Sequence, residues 1–240
     1  MKRAKLFALC SASFITVLSA HCQIAFQNLN FESANLSNPS GQFNDVPFPS
    51  ALPGWHGSVG GVPLTQVWAN IYTAGAANID IFGPGLGSVY PFQRIDPGII
   101  DGSYTVFLQA FDTGQGNVSL WQNGTIPGNA ASLQFSAWQM PTANQAFSVS
   151  FAGNSLSPVA LSYGQSPSGQ PYTVYGVNIA PYAGDTGQLE FTALAGNGES
   201  GIEFDDITFS QNAVPEPSTL ALIVMGGAAL AARRWRGRGS

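Results

Sequence analysis

Side chains able to do covalent or acid–base chemistry are scarce in the central part of this chain. Residues 23–213 contain one histidine, His56, and neither lysine nor cysteine. These absences exclude a cysteine nucleophile, a lysine Schiff base and a metal site built from several histidines. A Ser-His-Asp triad would have to use His56, and the chain has no G-x-S-x-G sequence of the kind that forms a nucleophile elbow.

Carboxylates are the remaining candidates for catalysis. Hydrolysis of a glycosidic bond needs only two carboxyl groups at a suitable separation, and Glu190, Glu199 and Glu203 could provide them. Any acidic β-domain offers such pairs, so the pattern does not single out an active site. We therefore do not expect an enzyme, and a glycan-active hydrolase is the less favoured alternative.

Aromatic side chains are candidates for binding sugars, because an aromatic ring stacks on the C–H face of a sugar while amide side chains hydrogen-bond its hydroxyls. Trp121 and Trp138 fall on predicted strands, where a buried or half-buried ring is expected. Trp55 follows a Pro-Gly pair in a predicted loop. We expect Trp55, Tyr172 and Tyr175 to be the better candidates for exposed ligand-binding rings.

Alternation of apolar and polar residues predicts that β-strands position these side chains. Phe147, Val149 and Phe151, for example, would share one face of a strand, with Ser148 and Ser150 on the other. Further strands are predicted at 24–31, 64–71, 77–82, 103–111, 118–122, 131–136, 159–163, 172–179, 188–192 and 202–209. Short strands separated by Gly, Pro and Asn turns, with no internal repeat, indicate a single β-sandwich.

The last predicted strand changes its inward face along its length. Ile202 and Phe204 have one parity, whereas Ile207 and Phe209 have the other. One extra residue in the strand would produce this change, because side chains alternate with a period of two. The sequence therefore predicts a β-bulge at residues 205–206.

Three short motifs give the domain a resemblance to a known fold family. They are N-x-x-F-E ending at Glu32, P-G-W ending at Trp55, and F-D-D-I at 204–207. Together they resemble galactose-binding-like jelly rolls, which include many carbohydrate-binding modules, over roughly residues 24–210. The resemblance implies that the first and last strands lie together, often with a structural calcium ion between them.

Carried over by position, the calcium ligands implied by this resemblance would be Glu32 and one or both of Asp205 and Asp206. Calcium takes about six to eight oxygen ligands, so carboxylates and carbonyls suit it. The alternative is a closing strand whose aspartates are simply solvated.

The central part of the chain is strongly acidic once its two ends are set aside. Residues 23–213 hold 12 of the 13 acidic residues and a single basic one, Arg94, which gives a formal charge of −11. We expect no binding to nucleic acid, whose phosphates would be repelled. Anionic polysaccharides would also be repelled unless a cation bridges them. Such a surface suits calcium, neutral glycans or solubility.

The segment 214–240 combines a Pro-Glu-Pro turn, an apolar run at 220–232 and an arginine cluster. The motif residues are Pro215, Glu216, Pro217 and Ser218, and the basic residues that would stop transfer across the membrane are Arg233, Arg234 and Arg236. This order resembles the PEP-CTERM sorting tail of bacterial envelope and secreted proteins. The resemblance implies an exosortase-type processing enzyme, which would read Glu216 and Pro217, and export to the cell surface or an extracellular polysaccharide matrix.

The apolar run is short for a permanent membrane span. It has 13 residues, which make roughly 20 Å of helix at ~1.5 Å per residue, whereas a hydrocarbon core is ~30 Å thick. The arginines favour a cytoplasmic C-terminus. We therefore predict a single apolar helix that holds the precursor at the inner membrane until it is processed; an ordinary amphipathic or buried helix is the alternative.

The N-terminal segment 1–22 is predicted to be a secretory signal peptide, because basic residues precede an apolar stretch at 6–18. Cleavage after Cys22 is favoured and cleavage after Ser19 is the alternative. We do not expect lipidation of Cys22, since His21 occupies a position where a lipobox needs a small residue. On the favoured cut no cysteine remains to form a disulfide.

Together these patterns predict an exported protein with one all-β jelly-roll domain at 23–213 between a signal peptide and a sorting tail. We expect the domain to be a non-catalytic structural or adhesive component of the cell envelope or extracellular matrix. A carbohydrate-binding module is the alternative function.

Overall fold

The computed structural model describes residues 24–71, 76–84, 98–111, 114–140, 147–196 and 198–215. These residues form 14 short strands, one four-residue helix and one 3₁₀ turn. In chain order the elements are β1 (Val46–Pro47), α1 (Phe48–Ala51), β2 (His56–Val59), β3 (Val62–Pro63), β4 (Gln66–Ala69), β5 (Asn78–Phe82), β6 (Thr105–Phe111), β7 (Val118–Thr125), β8 (Ser132–Gln139), β9 (Phe147–Phe151), β10 (Asn154–Leu156), β11 (Val159–Gln165), β12 (Pro171–Asn178), the 3₁₀ turn (Ala180–Tyr182), β13 (Thr186–Ala193) and β14 (Glu199–Ser210).

The strands form two sheets. The eight-stranded sheet has the order β1-β4-β5-β6-β14-β8-β12-β11, and the six-stranded sheet has the order β10-β9-β13-β7-β2-β3. From β6 onward the chain passes repeatedly from one sheet to the other, which is the connectivity of a jelly roll. The predicted all-β sandwich is therefore confirmed.

The core between the sheets is built from the apolar residues of the alternating pattern. Phe204 lies at its centre, with its ring 4.7 Å from that of Phe191 and 5.6 Å from that of Phe31. The ring of Phe135 meets Phe191 edge-on at 5.2 Å. All four side chains are fully buried, and burial of each stabilises the fold by about 1.5–3 kcal/mol.

The predicted strand at 24–31 is wrong, because this segment forms no strand. It is nevertheless held by both sheets: the Thr125 N–H donates to the Ile24 carbonyl at 2.7 Å, and the Ile207 N–H donates to the Leu29 carbonyl at 3.0 Å. The segment makes only isolated bonds with each sheet, so it closes the end of the sandwich without extending either sheet. It lies beside the last strand, as the jelly-roll resemblance implied.

The predicted β-bulge is confirmed in β14. The register against β8 shifts between Asp205 and Thr208, and Asp206 adopts a positive φ of 52°. As a result Phe204 and Phe209 pair with Ala137 and Leu133, two buried residues of β8.

The other strand predictions are confirmed with small shifts in their ends, and the structure adds β1, β2, β3, β10 and α1, which are too short to show periodicity. Within the described ranges, no helix is long and apolar enough to cross a membrane. The predicted signal peptide and apolar tail helix lie outside the described residues.

Candidate functional site

The outer face of the six-stranded sheet carries a row of polar and aromatic side chains. Strand register places His56 beside Trp121, Trp121 beside Glu190, Glu190 beside Ser150 and Ser150 beside Ser155. Neighbouring strands are ~4.8 Å apart, so the five residues extend over about 19 Å. His56 and Ser155 are exposed and the three residues between them are half-buried. We call these five residues the polar row.

The Glu190 carboxylate is held in place by its neighbours along β13. The Gln188 amide donates to Oε2 at 3.0 Å and the Thr192 hydroxyl donates to Oε1 at 3.4 Å. Thr192 in turn shares a 2.8 Å hydrogen bond with Ser119 on β7. A carboxylate has about four lone-pair sites, so Glu190 retains acceptors for hydroxyl groups of a ligand.

Trp121 gives the polar row its aromatic surface. Its ring lies nearly parallel to that of His56, with centroids 6.0 Å apart and an interplanar angle of 26°. A cleft of ≈ 440 Å³ adjoins it. The residues lining the cleft are Phe48, Pro49, Gly54, Trp55, His56, Gly57, Pro63, Leu64, Thr65 and Trp121. An aromatic ring beside hydrogen-bonding side chains matches the two surfaces of a sugar, its C–H face and its hydroxyls.

The expectation that Trp55 is exposed is wrong, since only 3% of the residue is accessible to solvent. Its indole N–H donates to the Asn28 carbonyl at 3.0 Å, and its ring packs against Phe31 at 5.6 Å. The turn before β2 directs the indole inward, where it anchors the N-terminal segment. Trp55 reaches the cleft only as part of its wall.

Tyr172 and Tyr175 are half-buried and lie on β12 of the other sheet. Tyr175 stacks on Phe135 at 5.5 Å, and burial raises the pKa of its hydroxyl. Tyr172 packs against a cluster that contains Trp138. The three predicted ligand-binding aromatics are therefore not brought together, whereas Trp121 and Trp138 are half-buried and buried as expected.

The outer face of the eight-stranded sheet is also rich in polar residues, but these are buried. Asp80, Gln109 and Glu203 are fully buried, beside an apolar cluster of Phe82, Phe107, Trp138 and Met140. The Gln109 amide donates to Glu199, and burial raises the pKa of the Glu199 carboxyl. We call Asp80, Gln109 and Glu203, together with the half-buried Glu199, the buried acidic cluster.

This placement separates the three glutamates considered for glycan hydrolysis. Glu190 lies on the six-stranded sheet, whereas Glu199 and Glu203 lie on the eight-stranded sheet, across the core. Glu199 and Glu203 are four residues apart in one strand, so their Cα atoms are about 13 Å apart. Because Glu190 lies on the other sheet, it forms no carboxylate pair with Glu199 or Glu203.

Two of the predicted calcium ligands, Glu32 and Asp205, hold the turn before β6. Glu32 Oε1 accepts hydrogen bonds from the backbone N–H groups of Ser103 and Tyr104 at 2.7 and 3.0 Å. Asp205 Oδ2 accepts from the Thr105 hydroxyl at 2.6 Å. The two carboxylates thus tie the N-terminal segment and β14 to the same turn.

Asp205 is almost completely buried beside this turn. Burial raises the pKa of its carboxyl to about 7, against hydrogen bonds from Thr105, Asp206 and Asp101 that lower it. The charge of the Asp205 carboxyl is therefore sensitive to pH near neutrality.

The fit of these carboxylates to calcium is incomplete in the described residues. Asp206 is exposed, and the Asp205 Oδ1 atom accepts the Asp206 N–H at 2.7 Å. No set of three His, Cys, Asp or Glu side chains in the described ranges is arranged to hold a metal ion. Calcium at Glu32, Asp205 and Asp206 stays a prediction.

Sequence reasoning missed the polar row for a physical reason. The alternation Ser119, Trp121, Asn123 and the alternation Gln188, Glu190, Thr192 were both visible. These side chains come together only because β7 pairs with β2 and β13. His56 and Trp121 are 65 positions apart in the sequence, so the sequence around each residue does not indicate this pairing.

Comparisons with known proteins identify the C-terminal segment. Residues 213–236 match the PEP-CTERM protein-sorting motif. Comparison with curated protein sequences gives no match.

Two solved structures resemble the chain at 14% identity and a TM-score of 0.38. One is the enzymatically active domain of tailspike protein 4 from bacteriophage CBA120; the similarity covers 78% of this chain and 21% of that one. The other is TmCBM61 in complex with β-1,4-galactotriose, with coverage of 78% of this chain and 99% of that one.

The chain therefore carries a PEP-CTERM motif at residues 213–236, as the resemblance implied, and the roles of Pro215, Glu216, Pro217 and Ser218 within it stay a prediction. The motif implies recognition by an exosortase and a precursor that passes through the membrane on its way to the cell surface. Pro215 is exposed, and the remainder of the motif lies outside the described residues.

Proposed function

We propose that this protein is an exported, non-catalytic adhesive component of the cell surface or extracellular matrix, and that it binds a neutral polysaccharide through the polar row. The observation that carries the proposal is the line of His56, Trp121, Glu190, Ser150 and Ser155 across five adjacent strands. A linear row about 19 Å long suits an extended chain of sugars better than a single small molecule.

The charge of the domain supports a neutral ligand. Residues 23–213 have a formal charge of −11, and Glu190 lies in the middle of the row. A polysaccharide that carries carboxylates, sulfates or phosphates would be repelled by this field. A neutral chain of hexoses offers C–H faces to Trp121 and hydroxyl donors to Glu190.

The content of the row supports binding without hydrolysis. Glycoside hydrolysis generally requires two carboxyl groups that flank one bond. On the strands of the six-stranded sheet Glu190 is the single carboxylate. A release of reducing ends from a bound polysaccharide would contradict this part of the proposal.

The sorting tail completes the proposal. The run at 220–232 would hold the precursor at the inner membrane, with Arg233, Arg234 and Arg236 on the cytoplasmic side. An exosortase would then act at Glu216 and Pro217. Mass spectrometry of the mature protein tests this step: an end near 215–218 supports it, and an intact arginine-rich end contradicts it.

Binding by the row is tested with neutral and anionic glycans immobilised on an array, followed by calorimetry with the best neutral ligand. Trp121→Ala should weaken binding by about 2 kcal/mol, or roughly thirtyfold in Kd, since a central aromatic commonly carries this share of an interface. Trp68→Ala is the matched control, because Trp68 is half-buried on the eight-stranded sheet. Equal loss in both variants would contradict the proposal.

A structural calcium ion near Glu32, Asp205 and Asp206 is a separate proposal that rests on the jelly-roll resemblance. Isothermal titration of the wild-type protein with calcium tests it, because carboxylate and carbonyl oxygens are the ligands that calcium takes. If no heat of binding is found, the calcium proposal falls and the glycan proposal is unaffected.

A further inference from the structure

The position of Val214 shows where the chain leaves the domain and the sorting tail begins. Val214, the residue before the Pro-Glu-Pro motif, is half-buried. Its side chain lies over Gly176 of β12 beside the side chain of Leu161 of β11: a Cβ atom at Gly176 would approach them at 2.9 and 2.7 Å. The chain is thus held at the β11 edge of the eight-stranded sheet until the residue before the motif.

The distance from this point to the apolar run is short. Val214 and Leu220 are six positions apart in the sequence, a distance of at most about 22 Å when the chain is fully extended. A compact domain of this size is about 40 Å across. While the apolar run is in the membrane, Val214 and the β11 edge beside it therefore stay within about 22 Å of the membrane surface, whereas the tail sets no such limit on β3, the edge strand of the six-stranded sheet.

The β11 edge is also chemically suited to a lipid surface. β11 is the last strand of its sheet and has a neighbour on one side only. Tyr163 is 82% exposed and Leu161 is 36% exposed, and tyrosine is a preferred side chain at the membrane–water interface.

The distribution of charge points the same way. Residues 113–184, which include β11 and β12, contain no Lys, Arg, Asp or Glu, although the domain around them has a charge of −11. The surface of a bilayer with anionic lipids is negative and repels acidic side chains. β11 and β12 therefore bring no charged side chain to that surface, and β7 to β10 in the same stretch are uncharged as well.

We propose that the β11 edge, with Tyr163 and Leu161, rests on the lipid headgroups while the precursor is anchored. This inference rests on the anchoring step of the proposed function. The occupant is the lipid surface; a second copy of the chain, or the processing enzyme, would be a different outcome.

The test uses the full chain with Cys10→Ser and Cys22→Ser, reconstituted in vesicles of phosphatidylcholine and phosphatidylglycerol. A single cysteine is introduced at Ser162→Cys, which keeps Tyr163, or at Val62→Cys on β3, and is labelled with a small fluorophore. Both sites are exposed. Lipids with a spin label on the headgroup should quench the label at 162 severalfold more than the label at 62. Adding Tyr163→Asp should reduce the quenching at 162.

The outcomes separate the two proposals. If the chain does not float with the vesicles, anchoring fails and this inference falls with it. If the chain floats but the labels at 162 and 62 are quenched equally, only the orientation is overturned. A disulfide-linked dimer formed by the unlabelled Ser162→Cys protein on the vesicles, together with no lipid quenching of the labelled protein, would assign the edge to a second copy and would also overturn the inference.

Discussion

The outer faces of the two sheets are built from similar polar residues but differ in how far these are buried. On the six-stranded sheet Glu190 lies half-buried in an open row with Trp121. On the eight-stranded sheet Glu203 is fully buried beside Trp138, and Asp80 is fully buried on β5. A carboxylate beside a tryptophan is therefore available to a ligand on one face and serves the fold on the other.

The difference follows from the cost of removing charge from water. Burial of an ionised carboxylate is unfavourable unless hydrogen bonds or opposite charges compensate it. Mutations in the buried acidic cluster should therefore lower the stability of the fold. Mutations in the polar row should instead weaken ligand binding. Each prediction below tests one side of this division.

The largest effect is expected from a matched pair of glutamate variants. Glu203→Ala should lower the free energy of unfolding by about 3 kcal/mol, because it leaves a cavity and removes the acceptor of the Gly98 N–H. Glu190→Ala should change stability by less than about 0.5 kcal/mol and should weaken glycan binding. Urea unfolding measures both, and equal destabilisation would show that the two faces do not differ.

The second prediction concerns the pH dependence of stability. Asp205 has a pKa near 3.8 when unfolded and of about 7 when folded, so the folded state binds more protons between these values. Stability contributed by protonated Asp205 is then present below pH 4 and is lost as pH rises to about 7. Between pH 5 and pH 8 the loss should be about 3 kcal/mol.

Asp205→Asn should remove this part of the pH dependence, because the amide does not titrate. Urea unfolding of both proteins at pH 5 and pH 8 measures it. If the unfolding free energy of the variant depends on pH as that of the wild type does, Asp205 is already ionised in the folded protein. A bound cation would have the same effect.

A smaller effect is expected at the turn held by Glu32. Gly102 has a φ of +58°, and a Cβ atom there would lie 2.4 Å from Glu32 Oε1. Gly102→Ala should therefore cost about 1–2 kcal/mol. Gly128→Ala is the control, since a Cβ at Gly128 meets nothing within 4 Å. Thermal unfolding should separate the two variants, and matching midpoints would argue against a tight turn.

Most of the strands could be predicted from the sequence because alternation is a local property. The bulge in β14 was also visible, since Phe204 and Phe209 fall on different parities but are both needed in the core. The segment 24–31 shows the limit: it alternates like a strand, but its backbone bonds are shared between two sheets.

The functional surface was less accessible to sequence reasoning. Trp55 sits in a sequence typical of a loop, and its burial depends on the Asn28 carbonyl, which is distant in the chain. The chemical difference between Glu190 and Glu203 is likewise set by which sheet each joins and by what covers that sheet. Neither residue carries this information in its immediate neighbours.

The most direct test of the division between the two faces is hydrogen–deuterium exchange with and without a saturating neutral oligosaccharide. Bound ligand should slow exchange in the peptides of β7 and β13, residues 118–125 and 186–193, which carry Trp121 and Glu190. Peptides of β6 and β14 should be unchanged. Protection confined to residues 105–111 and 199–210 would place the ligand at the buried acidic cluster and would contradict the account.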